Sequence, residues 1–167
     1  MDGYIGLGSN LGDPIAELRG AVSELESRGV ELSSRSSLYR TEPVDAPDQA
    51  WFVNAVVEIR FGGRPDELLQ ICANVETARG RERNRSRCRH EPRILDLDVL
   101  LLGDTVLATA ELTIPHPRLH ERRFVLEPIV EIAPDAIHPG LRKTMRDLLQ
   151  ECMDESNVVR LEDAFAP

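Results

Sequence analysis

A chain of 167 residues, 41% hydrophobic and 29% charged, has the size and composition of one ordinary globular domain, expected to span residues 1–167. Its net charge of −9 argues against nonspecific affinity for nucleic acid. No apolar run is longer than Val99 to Leu102, which falls far short of the ~20 residues that span a bilayer. Three cysteines (Cys72, Cys88, Cys152) show no metal or redox spacing, and "MDGYIGLGSN" is too acidic at its start for a signal peptide, so a reducing cytoplasm is expected.

"YIGLGS" reads as a first strand. Asp13 then caps a helix with Pro14 in its first turn and Ile15, Leu18, Val22 and Leu25 on one face; Gly29 ends it. A second strand is expected around 30 to 40, followed by the unperiodic loop "TEPVDAPDQA". The third strand, residues 51 to 61, sets Trp51, Val53, Ala55, Val57, Ile59 and Phe61 on a core face, with Phe52, Asn54, Glu58 and Arg60 opposite. A second helix opens at Pro65 and closes at Gly80, with Leu68, Ile71, Cys72, Val75 and Ala78 inward. An arginine-rich loop and the strand "RILDLDVLLLGD" come next, and a Gly103-Asp104 turn leads into "TVLA". The proline-stiffened loop "LTIPHPR" and helices near 120–132 and 141–152 complete the chain.

That order predicts an α+β fold with a ferredoxin-like βαββαβ core: an antiparallel sheet with helices packed on one side, plus extra C-terminal helices. Such a fold hosts many functions and decides none.

Asp96 and Asp98 alternate with Leu95, Leu97 and Val99, so the two carboxylates share a strand face, about 6.6 Å apart at the usual rise. They are either the wet side of a sheet or the holders of a cation. Residues 79–93, "RGRERNRSRCRHEPR", set seven arginines against two glutamates directly before them. Acids beside clustered guanidinium groups suit a polyphosphate carried with magnesium. The glycines of "GLGSNLGD" match neither the dinucleotide nor the P-loop pattern and read as a tight strand-to-helix turn. Phe52 and Asn54 pair a ring with an amide on one face, which can bind a flat heterocycle. His116, between Pro115 and Pro117, stands close to Arg118, His120, Arg122 and Arg123 and can donate to a phosphate.

Taken together, "YIGLGSNLGD", "SSLYRTEPV", "FVNAVVEI", "RILDLDVLLLGD" and "LTIPHPRLHERRFVLEPIVEIAPD" resemble the 6-hydroxymethyl-7,8-dihydropterin pyrophosphokinase family of folate biosynthesis. The resemblance implies transfer of pyrophosphate from the co-substrate ATP to the pterin hydroxymethyl group, with release of AMP. By the same resemblance Asp96 and Asp98 hold two Mg2+ ions. Phe52 and Phe124 sandwich the pterin, while Asn54 and the backbone around Thr41 and Val44 read its edge. Arg81, Arg83, Arg93, His116 and Arg122 contact phosphates, Arg81 and Arg93 as part of the catalytic set with the two aspartates. Glu76, Val99, Leu112 and Thr113 line the nucleotide pocket. The implied partners are small molecules, with no nucleic acid and no membrane, and a monomer is expected. Many relatives carry Trp-Gly before the Pro-Arg of this strand, where this chain has His90-Glu91. The loop from Arg81 to Glu91 is expected to be mobile without ligand and ordered with both substrates. The other classes weighed are a metal-dependent phosphohydrolase and a ferredoxin-like nucleic-acid-binding module. The second should present several sheet aromatics, whereas the chain has only one Trp, two Tyr and four Phe, scattered.

Overall fold

The computed structural model describes residues 1–44, 48–80 and 93–161. β1 (Asp2–Ser9) lies at the centre of an antiparallel sheet, paired with β4 (Phe52–Arg60) on one side and β5 (Asp96–Leu102) on the other. β2 (Glu31–Arg35) and β3 (Tyr39–Thr41) both pair with β4, and β10 (Val158–Arg160) adds to β3. The expected single strand at 30–40 is thus two. Between them Ser36 Oγ accepts the Val56 N–H (2.9 Å) and donates to the Ser37 carbonyl (2.8 Å), a side-chain bond that competes with the regular ladder.

α1 (Pro14–Ser27) starts as predicted, with Asp13 Oδ1 accepting the Ala16 N–H at 3.1 Å. It buries Leu18, Ala21, Val22 and Leu25, and the left-handed turn at Gly29 (φ 86°) releases the chain toward β2. α2 (Pro65–Ala78) lies beside it, burying Leu68, Cys72 and Val75. Both pack on Ile5, Leu7, Val53, Ala55, Val57, Ile59, Leu97 and Val99, the alternating inward residues of three strands. Trp51 departs from that pattern. It precedes β4, is 36% exposed, and lies under the Arg40 guanidinium, 4.9 Å from its ring centroid.

The two core helices share one side of the sheet, as expected; the extra C-terminal pair covers part of the other. α3 (Arg123–Ile132), entered through a 3-10 turn at Leu119–Glu121, and α4 (Met145–Glu151) bury Val125, Leu126, Ile129, Met145 and Leu148 against Val56, Leu100 and Leu101. A bulge makes this second core possible. Opposite β1 the register slips between Tyr4 and Ile5, so Leu100 and Leu101 both face α3 before Leu102 returns to the first core. β6 (Leu107–Ala108) pairs not with β5 but with β7 (Thr113–Ile114), which lies inside the stretch expected as loop; just beyond β7 the His116 N–H donates to the Leu100 carbonyl of β5 at 2.9 Å. A hairpin of β8 (Ile137–His138) and β9 (Lys143–Thr144) precedes α4, which is shorter than the helix expected there.

Candidate active site

α3 and α4 leave part of their sheet face uncovered, and that part is the floor of a groove of about 330 Å³. Strand alternation selects the floor residues: Gly6 and Gly8 from β1, Asn54 and Val56 from β4, Asp96, Asp98 and Leu100 from β5. Thr41, Glu42, Val44 and Gln49 form one wall, His116, Pro117 and Arg118 another, and Arg122, Phe124 and Val125 a third.

At one end the groove is aromatic and amide-bearing. Phe52 and Phe124 both line it. Asn54 is buried, and its Nδ2 donates to Thr41 Oγ1 at 2.6 Å. Its other carboxamide atom lies over Gly8, where a Cβ would come within 2.6 Å of Asn54 Oδ1. Of the glycines read as a turn signal, Gly12 (φ 66°) lies between β1 and α1 as expected, whereas Gly6 and Gly8 lie inside β1, where they keep the groove floor bare.

At the other end lie the charges. Arg93 Nη1 sits 2.6 Å from Asp96 Oδ2. The Arg93 backbone is clamped at both polar groups: its N–H donates to Asn10 Oδ1 (2.8 Å) and its carbonyl accepts the Asn10 N–H (3.0 Å). Asn10 Nδ2 reaches across to Gln49 Oε1 and the Ala50 carbonyl, each at 3.2 Å. Buried Asn10 therefore joins the segments that enter both ends of the site, a role its position in "GLGSNLGD" did not signal.

Asp98 keeps 42% of its side chain accessible, yet it sits at the base of the groove. Desolvation there, reinforced by the neighbouring Asp96, pushes its carboxyl up to about 7 against the pull of Arg122. His116 moves the other way, down to about 4, through burial and then the Arg122 charge. Arg122 also lies over the Phe124 ring, 5.6 Å from its centroid.

Of the predicted site residues, Thr41, Val44, Phe52, Asn54, Phe124, Arg93, Asp96, Asp98, His116 and Arg122 all line this groove. Glu76, Val99, Leu112 and Thr113 do not. Glu76 is buried and accepts the Leu97 N–H at 2.8 Å, holding the outer edge of β5. Val99 faces the α1/α2 core, Leu112 packs at its margin, and Thr113 pairs with Ala108. Arg81, Arg83 and the expected ordering of their loop lie outside the described residues.

Among the described residues no group of three or more His, Cys, Asp or Glu side chains converges as a metal cage. Two carboxylates on one face, one resisting ionisation beside the other, suit a hard cation whose remaining ligands are water and substrate phosphate.

The family model described as "7,8-dihydro-6-hydroxymethylpterin-pyrophosphokinase (HPPK)" matches residues 4–134. The chain is similar to the 2-amino-4-hydroxy-6-hydroxymethyldihydropteridine pyrophosphokinase of Methylorubrum extorquens, 42% identical over 160 residues, which span 95% of this chain and 98% of that protein. The protein of the same name from Bacillus subtilis is 45% identical over 130 residues, covering 77% of this chain and 76% of its own. In fold it resembles the crystal structure of a triple mutant of Plasmodium falciparum HPPK-DHPS (TM-score 0.71, 14% identity), covering 90% of this chain and 43% of that one.

Proposed function

The chain belongs to the 7,8-dihydro-6-hydroxymethylpterin-pyrophosphokinase family, and from that premise we propose that the groove is where it transfers pyrophosphate from ATP to the hydroxymethyl group of 6-hydroxymethyl-7,8-dihydropterin. One juxtaposition carries the reading. The paired aspartates, ringed by Arg93, His116 and Arg122, share one groove with the Phe52/Phe124 pair and the Asn54–Thr41 amide contact. A polyphosphate and a flat heterocycle are the two ligands such ends select.

Phe52 and Phe124 stack on the pterin, while Asn54, oriented by Thr41, reads its hydrogen-bonding edge. Asp96 and Asp98 would hold Mg2+, which would supply neutralisation of the phosphate charge of ATP. Arg93, His116 and Arg122 contact the phosphates. Arg93 already rests on an anionic oxygen, that of Asp96, and exchanges it for phosphate when substrate and cation arrive. The groove asks for little proton chemistry. Pyrophosphoryl transfer is carried mainly by in-line positioning and charge stabilisation.

No described helix is long and apolar enough to cross a membrane. A monomer working in a reducing cytoplasm remains part of the proposal. The test is AMP formation from ATP and Mg2+ with and without hydroxymethyldihydropterin. AMP should appear only with the pterin, in equal amount to pterin diphosphate. Phosphate release that ignores the pterin would instead indicate a phosphohydrolase.

A further inference from the structure

The two walls that face each other across the aromatic end of the groove come from distant parts of the chain. Thr41 ends β3 with Glu42 just beyond it, and Phe124 is the second residue of α3. Residues 154–161, C-terminal to the stretch matched by the family model, bind both from behind. Asp154 Oδ2 accepts the Arg123 N–H (2.9 Å), one of the donors an α-helix leaves open at its start, and Asp154 Oδ1 accepts the Ser156 N–H (2.9 Å). Asn157 then grips the other wall: its N–H and Nδ2 both donate to Glu42 Oε2 (2.9 and 3.1 Å), and its carbonyl accepts the Glu42 N–H (3.0 Å). Val158 pairs with Thr41. At the far end Arg160 donates to Ser37 Oγ (2.8 Å) and pairs with Glu131 of α3 (2.9 Å).

The segment thus ties both ends of α3 to β3. We propose that it is a strap that sets the spacing of the pterin slot, with Asp154 a positioning residue that aims Phe124 at the ring. Phe52 is fixed on the opposite side, because Thr41 pairs with it across the β3–β4 ladder. Loss of the Asp154 bond frees the first turn of α3, which carries Phe124; Arg122 at its N-cap keeps its own N–H on the Leu119 carbonyl of the preceding 3-10 turn (3.5 Å), and both aspartates of the charged end lie on β5.

The inference rests on the groove being the pterin site, so steady-state KM values for both substrates are compared in Asp154→Ala, Asp154→Asn and Asn54→Ala. Asp154→Ala should raise the pterin KM about three- to tenfold, the scale of one lost hydrogen bond, and move the ATP KM less than about twofold. Asp154→Asn keeps an acceptor for the Arg123 N–H and should recover most of the loss. An unchanged pterin KM in folded Asp154→Ala, or an equal rise in both KM values, overturns the strap. Should Asp154→Ala fail to fold, Asn157→Ala decides: a smaller rise confined to the pterin KM supports the strap, and none overturns it. If Asn54→Ala leaves the pterin KM untouched, the groove assignment itself falls.

Discussion

His116 Nε2 stands 4.0 Å from Asp98 Oδ2, and His116 Nδ1 accepts the Arg118 N–H at 3.2 Å. With Nδ1 an acceptor, the proton of the neutral ring lies on Nε2, on the side of the carboxylate. The two groups have pKa values displaced in opposite directions, to about 7 for Asp98 and about 4 for His116.

Their signs give a pH prediction. An unfolded Asp titrates near about 3.9, so from about pH 4 to 7 the folded state binds more proton at Asp98, and this group makes stability fall as pH rises. His116 titrates near about 6.5 when unfolded, so its lowered folded value makes stability rise from about pH 4 to 6.5. The two slopes oppose. In chelator, the stability of Asp98→Asn relative to the parent should grow as pH rises from about 4 and level off above about 7. Urea titrations along this range provide the check. A difference independent of pH would show that Asp98 is not perturbed.

Removing either carboxylate should separate catalysis from folding. Asp96→Asn and Asp98→Asn each take a negative oxygen from the proposed magnesium site, and turnover should fall by ~10³-fold or more. Melting in chelator should distinguish them. Asp98→Asn relieves repulsion and should melt no lower than the parent at pH 8. Asp96→Asn also gives up the partly exposed Arg93 pair, worth only about 0–1 kcal/mol. Retained turnover in both variants would return these acids to the wet face of a sheet.

Asn54→Ala should weaken pterin binding by ~1–3 kcal/mol, because the buried amide proposed to read the ligand is lost, while ATP affinity stays near the parent value. Calorimetric titration with each substrate separately makes the comparison. Equal loss for both ligands would speak for a general collapse of the groove.

Gly8→Ala should imitate that defect without touching Asn54 in sequence. The new methyl group would stand 2.6 Å from Asn54 Oδ1, so the carboxamide must move off the floor. Pterin affinity should drop at least tenfold, the effect of ~1.4 kcal/mol or more, with the far-UV spectrum unchanged. An unaltered pterin affinity would mean that Asn54 is not held in place by the bare strand.

Much of this was legible in local pattern. Alternation along residues 52–60 separated Phe52 and Asn54 from the core, and "DLD" announced two carboxylates on one face, because side-chain direction in a strand depends only on parity. Asp13, Gly29 and Gly80 punctuated the helices through chemistry that acts over a few residues. The resemblance brought in residues that no pattern ranks, such as Thr41 and Phe124. What the chain order could not convey were relationships across strands and between distant segments. Gly8 matters because register sets it opposite Asn54. Asn10 matters because two loop bases meet on its carboxamide, and Asp154 because the last described strand returns beside α3. Trp51 fell outside its expected core for the same reason, since the end of a strand is decided by its partner. Local parity and capping are properties of neighbours in sequence; the groove is made by neighbours in space, where α3 and α4 pack over only part of a sheet face.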